Sequence, residues 1–176
     1  GAGELDSIGF QERLQTLAMR VDFDAGRDVM LGNVQMLTAN MNESFDLLRL
    51  AMSQPRFDAD ALERVRAQII AGLKFDENDP EEVASLAWDR LAFQGHPYGR
   101  PIKGTKATIA AMTQEDLRDY VRRVFARDKL VISVVGDIDA ETLGRKIDEV
   151  FGPLPQASSL APIADAKPPI GPTREI

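Results

Sequence analysis

The chain has no cysteine and a single histidine, His96, among its 176 residues. Without cysteine there is no disulfide framework, no thiol nucleophile and no thiolate metal site. One imidazole with no thiol beside it cannot build a zinc site of the usual His and Cys type. Long apolar runs are also missing. No stretch approaches the ~18 residues that a membrane-spanning helix requires, so the segment is expected to be soluble, cytoplasmic or periplasmic, with the compartment left open. Clustered positive charge is absent as well: 21 Lys and Arg stand against 28 Asp and Glu, for a net charge of -7. Nucleic acid and anionic lipid are poor partners for such a surface, because phosphates demand grouped cations. A basic or extended peptide would be tolerated. The opening Gly1-Ala2-Gly3-Glu4-Leu5-Asp6 carries no signal-peptide pattern and no initiator Met, as expected of a piece of a longer protein.

What is present is globular. A composition of 44% hydrophobic and 28% charged residues in a chain of this length fits one domain with a real core. Asp6-Ser7 can cap a helix bearing Ile8, Phe10, Leu14 and Leu17. Residues 20–25 alternate strictly, and 29–38 read as a second strand, antiparallel to the first after the turn at Gly26-Arg27-Asp28. Gly32 within it marks a bulge or a place where another backbone comes close. Met41, Phe45, Leu48 and Met52 form one apolar helical stripe that Pro55 ends. Leu62, Val65, Ile69 and Leu73 form another, starting at Asp58 and stopped by Pro80. Val83, Leu86, Ala87, Trp88 and Leu91 form a third.

A loop spans His96–Gly104, and a short helical turn fits Thr105–Ala111. Thr113-Gln114-Glu115-Asp116 is close to a capping box and introduces a helix bearing Leu117, Tyr120, Val121 and Val124. Leu130-Val131-Ile132-Ser133-Val134-Val135 is a β-branched run of the kind found in central strands buried on both faces. Asp139 caps a last helix carrying Leu143, Ile147, Val150 and Phe151. The fold class expected is α+β: a mostly antiparallel sheet of three to four strands covered by five to six helices. From Pro153 onward the character changes, since 6 of the 10 prolines fall in the final 24 residues. The organisation expected is one domain over 1–152, incomplete at its N-terminus, then a Pro-rich linker over 153–176 leading to a second domain.

One succession of segments is distinctive. Leu62-Glu63-Arg64-Val65-Arg66 is followed by Glu77-Asn78-Asp79-Pro80-Glu81 and His96-Pro97-Tyr98-Gly99-Arg100-Pro101. Val134-Val135-Gly136-Asp137-Ile138-Asp139 and Phe151-Gly152-Pro153-Leu154-Pro155 complete it. Together they resemble the pitrilysin/insulinase family of inverted zinc-motif metallopeptidases, which includes mitochondrial processing peptidase. The resemblance implies a metallopeptidase half-domain of the insulinase/processing-peptidase type, with zinc on a helix carrying H-x-x-E-H. The Glu of that motif polarises a zinc-bound water, and a Glu on a later helix is the third ligand.

Placing Glu63-Arg64 and Asp79-Pro80 on the family pattern puts that third ligand at Gly72 and a supporting Glu at Val65. Seven residues are two helical turns, so both carboxylates would share one face. This chain has Val65 and Gly72 there instead, and no H-x-x-E-H. It is therefore expected to be inactive alone, with no catalytic or metal residue and no cofactor of its own. Only an error of register would revive a ligand, and Glu77 is then the nearest carboxylate.

The His96–Pro101 segment reads as a rigid structural loop rather than a substrate contact. Gly136-Asp137 is not a phosphate loop, Ser44 and Ser133 have no triad partner, and Glu77-Asn78-Asp79 lacks calcium-loop spacing. The function implied is that of a non-catalytic half or subunit. It would close the chamber and hold extended peptide for a homologous zinc-bearing H-x-x-E-H subunit or second domain. The alternatives are an inert scaffold or peptide-binding protein, and part of an active peptidase whose zinc motif lies upstream.

Overall fold

A computed structural model describes residues 1–167, which fall into two compact units. The first comprises residues 1–25, 30–62 and 113–160. Its first helix, α1 (Ser7–Thr16), starts where the Asp6 carboxylate accepts the Gly9 N–H at 2.7 Å. Strands β1 (Arg20–Ala25) and β2 (Met30–Gln35) pair antiparallel, Arg20 opposite Gln35 through to Ala25 opposite Met30. The register is unbroken, so Gly32 is not a bulge. It sits opposite Phe23, whose ring lies 3.0 Å from where a Cβ would stand, so a side chain approaches rather than a backbone.

Helix α2 (Met41–Ser53) packs against α7 (Ala140–Phe151). The core gathers Leu14, Leu17 and Met19 with Leu47, Leu48 and Met52 of α2 and the fully buried Val150 of α7. On α2 the buried side is Ser44, Leu47, Leu48 and Met52, which leaves Met41 and Phe45 at the margin of the expected stripe. Helix α6 (Gln114–Val124) begins in a reciprocal capping box between Thr113 and Asp116. Helix α7 begins with the Asp139 carboxylate accepting the Thr142 N–H at 2.9 Å.

The second unit, within the described residues, comprises 26–29, 63–112 and 161–167. It holds most of α3 (Ala59–Asp76), with α4 (Pro80–Ala92) and α5 (Lys106–Ala111). Pro80 stands at the start of α4, where its missing N–H is no loss, and Asp79 accepts the Glu81 N–H at 2.9 Å. The end of α5 is closed by Arg66, whose Nη1 donates to the Ile109 carbonyl at 3.1 Å and to that of Ala110. Its Nη2 donates to the Met112 carbonyl at 2.7 Å. These carbonyls lie at the C-terminal end of the helix, where carbonyls lack a full set of intrahelical partners, although that of Ile109 also accepts the Met112 N–H.

The described residues contain seven α-helices and a two-stranded sheet. The class is α+β and antiparallel, but the sheet has two strands where three to four were expected. The difference lies at Val131–Val135, which forms no helix and pairs with no strand among the described residues. A β-branched run states a preference for pleated, packed surroundings, whereas pairing needs a neighbour that sequence pattern cannot supply. The helix count exceeds five to six because the Thr105–Ala111 turn is a capped helix of its own.

Beyond Gly152 the described residues form no helix or strand. Even so, part of the proline-rich stretch is bonded to the first unit. Pro155 and Gln156 accept the N–H groups of Arg127 and Asp128, and the Ser159 N–H reaches the Arg123 carbonyl at 3.1 Å. The rest of the expected linker, residues 168–176, lies outside the described residues.

Candidate functional site

Val65 and Gly72 stand on α3, two turns apart with Ile69 between them. All three are exposed: Val65 retains 45% of its surface rather than entering a core. Nothing approaches within 4 Å of where a Gly72 Cβ would stand. The helix thus presents an apolar, solvent-facing stripe at the positions where the sequence reading places two carboxylates.

The acids nearby in sequence are engaged otherwise. Glu77 is paired with the Lys106 ammonium, Asp76 holds Lys103 Nζ at 2.8 Å, and Asp79 caps α4. Lys103 is held above its ordinary pKa, chiefly by its hydrogen bond to Asp76.

The one histidine is likewise committed. His96 Nδ1 accepts the Tyr98 N–H at 3.1 Å, and Nε2, 2.9 Å away, can donate to the Ala164 carbonyl. The ring meets Tyr98 edge-on, with centroids 4.7 Å apart. Tyr98 in turn donates its hydroxyl to Asp28 at 2.5 Å and offers its carbonyl to Arg27 at 2.7 Å. Arg27 also pairs with Asp89 of α4. The bond to the Asp28 carboxylate, and to a lesser degree burial, raises the Tyr98 pKa and keeps the phenol protonated. These bonds tie the His96–Gly99 turn to Arg27-Asp28 and to α4.

Sequence reasoning saw Arg27-Asp28 only as a turn. Their partners lie 62 to 71 positions away, and no local pattern signals contacts of that range.

Among the described residues no three His, Cys, Asp or Glu side chains form a group able to hold a metal ion. Zinc, which the family pattern implies, does not fit what is present. Val65 and Gly72, where the sequence reading places the family's two carboxylates, offer no ligand atoms, and both nitrogens of the sole imidazole are engaged.

Residues 111–175 match the family described as "peptidase M16 inactive domain". Over those residues the chain is similar to the M16 peptidases, the pitrilysin/insulinase family. It is 26% identical over 159 residues to "Non-peptidase homolog YmxG" of Helicobacter pylori, a match covering 90% of this chain and 37% of that protein. It is 23% identical over 162 residues to "Mitochondrial-processing peptidase subunit beta" of Saccharomyces cerevisiae, covering 92% of this chain and 35% of that protein. Among solved structures, a peptidase M16 inactive domain from Pseudomonas fluorescens superposes with a TM-score of 0.88 at 23% identity, over 95% of this chain and 41% of that one. The chain therefore spans little more than a third of the curated relatives it matches. What it carries is a stretch of M16 inactive domain, homologous to non-peptidase members of the family.

Proposed function

We propose that this M16 chain belongs to the zinc-free half of a two-part peptidase. In that role it closes a chamber and holds an extended peptide that a homologous, zinc-bearing H-x-x-E-H subunit or domain cleaves. The observation that carries the reading is the α3 face itself, with exposed Val65 and Gly72 at the expected carboxylate positions. A site without ligands cannot bind or activate the metal, so chemistry would have to come from the partner. Peptide binding draws support from the two-stranded sheet. It leaves an outer edge on each of β1 and β2 among the described residues, and sheet edges capture extended chains through main-chain hydrogen bonds.

The domain organisation belongs to the same proposal: one domain over 1–152 that continues upstream, then a linker over 153–176. The family match runs across Pro153, so that boundary rests on proline content. An inert scaffold is the second reading, favoured by the likeness to a non-peptidase homolog.

Hydrolysis of a quenched-fluorescent peptide separates them. The full-length parent should be inactive alone and active when mixed with its H-x-x-E-H partner, and a chelator should abolish that activity. A mixture that never cleaves would favour the scaffold. Chelator-sensitive cleavage by the parent alone would overturn both readings.

A further inference from the structure

Residues 161–167 run along the second unit with every residue but Ala166 exposed. None of their N–H groups reaches a main-chain carbonyl among the described residues. What fastens them there is one side chain, since His96 Nε2 stands 2.9 Å from the Ala164 carbonyl. The other ring nitrogen, Nδ1, accepts the Tyr98 N–H at 3.1 Å and so caps the turn Pro97–Gly99. Both bonds can exist together in one protonation state alone. Nδ1 must keep its lone pair while Nε2 carries the proton, which describes a neutral imidazole. An imidazolium has donors at both nitrogens and no acceptor, so its Nδ1–H would point at the Tyr98 N–H.

We propose that His96 is a proton-operated latch: the neutral ring holds residues 161–167 on the His96–Gly99 turn, and a second ring proton releases them. Release follows from how the ring is seated. It meets Tyr98 edge-on, centroids 4.7 Å apart, and lies tilted against Phe93. Relieving the two opposed donors at Nδ1 therefore swings the whole ring and carries Nε2 off Ala164. Among the described residues no carboxylate meets either nitrogen to steady the cation. The charged groups on the surrounding elements are placed otherwise. Arg27 pairs with Asp89 and Asp28 accepts the Tyr98 hydroxyl, while Arg100, Asp165 and Lys167 make no bond to the ring.

Nuclear relaxation of the isotope-labelled full-length parent tests this, with the His96 ring C–H shift reporting when the ring takes its second proton. Lowering the pH from about 8 to about 5 spans the range in which histidine side chains ordinarily change charge and leaves most carboxylates ionised. With the ring neutral, the amide order parameters of Ala164 and Asp165 should stand near about 0.8. They should fall below about 0.6 in step with the ring shift. Order parameters that do not change when the ring is protonated, whether high or low, would overturn the proposal. So would a ring that stays neutral until the protein unfolds. His96→Asn supplies a second readout. Its shorter side chain can still accept the N–H two residues on, as Asn does in turns, but does not extend to Ala164. Residues 163–165 should then be mobile at every pH with the Tyr98 amide still protected. An ordered segment in this variant would overturn the latch, because something other than His96 would be holding it. Neither measurement involves a peptide or a zinc partner, so each can fail while the hydrolysis result stands.

Discussion

At Gly72 an alanine methyl would project from the middle of α3 into open space. Glycine in a helix interior costs about 1 kcal/mol relative to alanine. Gly72→Ala should therefore stabilise residues 1–176 by ~1 kcal/mol in urea denaturation. A loss of stability would show that something closes on this face after all. Two aspartates set the opposite kind of expectation. Asp139 is held below its ordinary pKa chiefly by the Thr142 backbone N–H, and Asp116 chiefly by the Thr113 hydroxyl. Because the folded values are lowered, their contribution is complete above the unfolded aspartate value of ~3.9. It is lost as pH falls through the folded values. The N-termini of α6 and α7 should accordingly loosen below about pH 4, read as falling helical circular dichroism with each cap. Asp139→Ala should destabilise the start of α7 at neutral pH and remove the α7 share of that acid response.

The elements divide by how locally they are encoded. Most helices were legible because their stripes recur every three or four residues, whereas α5 was read only as a short helical turn and α2 has no side-chain cap. Asp6, Asp79, Thr113 and Asp139 all cap the helices they precede. The β1–β2 hairpin was legible for the same reason, its partner lying a few residues away. Leu130–Val135 was legible in character but not in outcome, because a strand depends on a distant neighbour. The Arg66 closure of α5 was not legible at all, since its acceptors lie 43 to 46 positions downstream. That closure makes a firm prediction. Arg66→Met should cost about 2 kcal/mol, the scale of charged hydrogen bonds lost with their carbonyls left unpaired. Exchange protection should drop selectively over Lys106–Met112. In the first unit, Leu47→Ala should cost roughly 2–5 kcal/mol in denaturant unfolding, because Leu47 sits in the core between α2 and its neighbours.

For the whole molecule, the likeness to the M16 peptidases is carried by a match over residues 111–175 and by relatives along most of the chain, while the proposed division of labour rests on a few positions. The resemblance was visible in short segments spread from Leu62 to Pro155, whereas the register that places the family's carboxylates at Val65 and Gly72 rests on the sequence alone. No sequence pattern could show that His96 spends both nitrogens on Tyr98 and Ala164. The proposed role requires a zinc-free parent domain. The measurement that addresses it most directly is the metal content of the full-length parent, purified and dialysed after exposure to zinc. The account predicts no zinc above background, and no change in Tm on adding a chelator. Stoichiometric zinc that the chelator removes would contradict it, and would mean that Gly72 does not stand where the third ligand belongs.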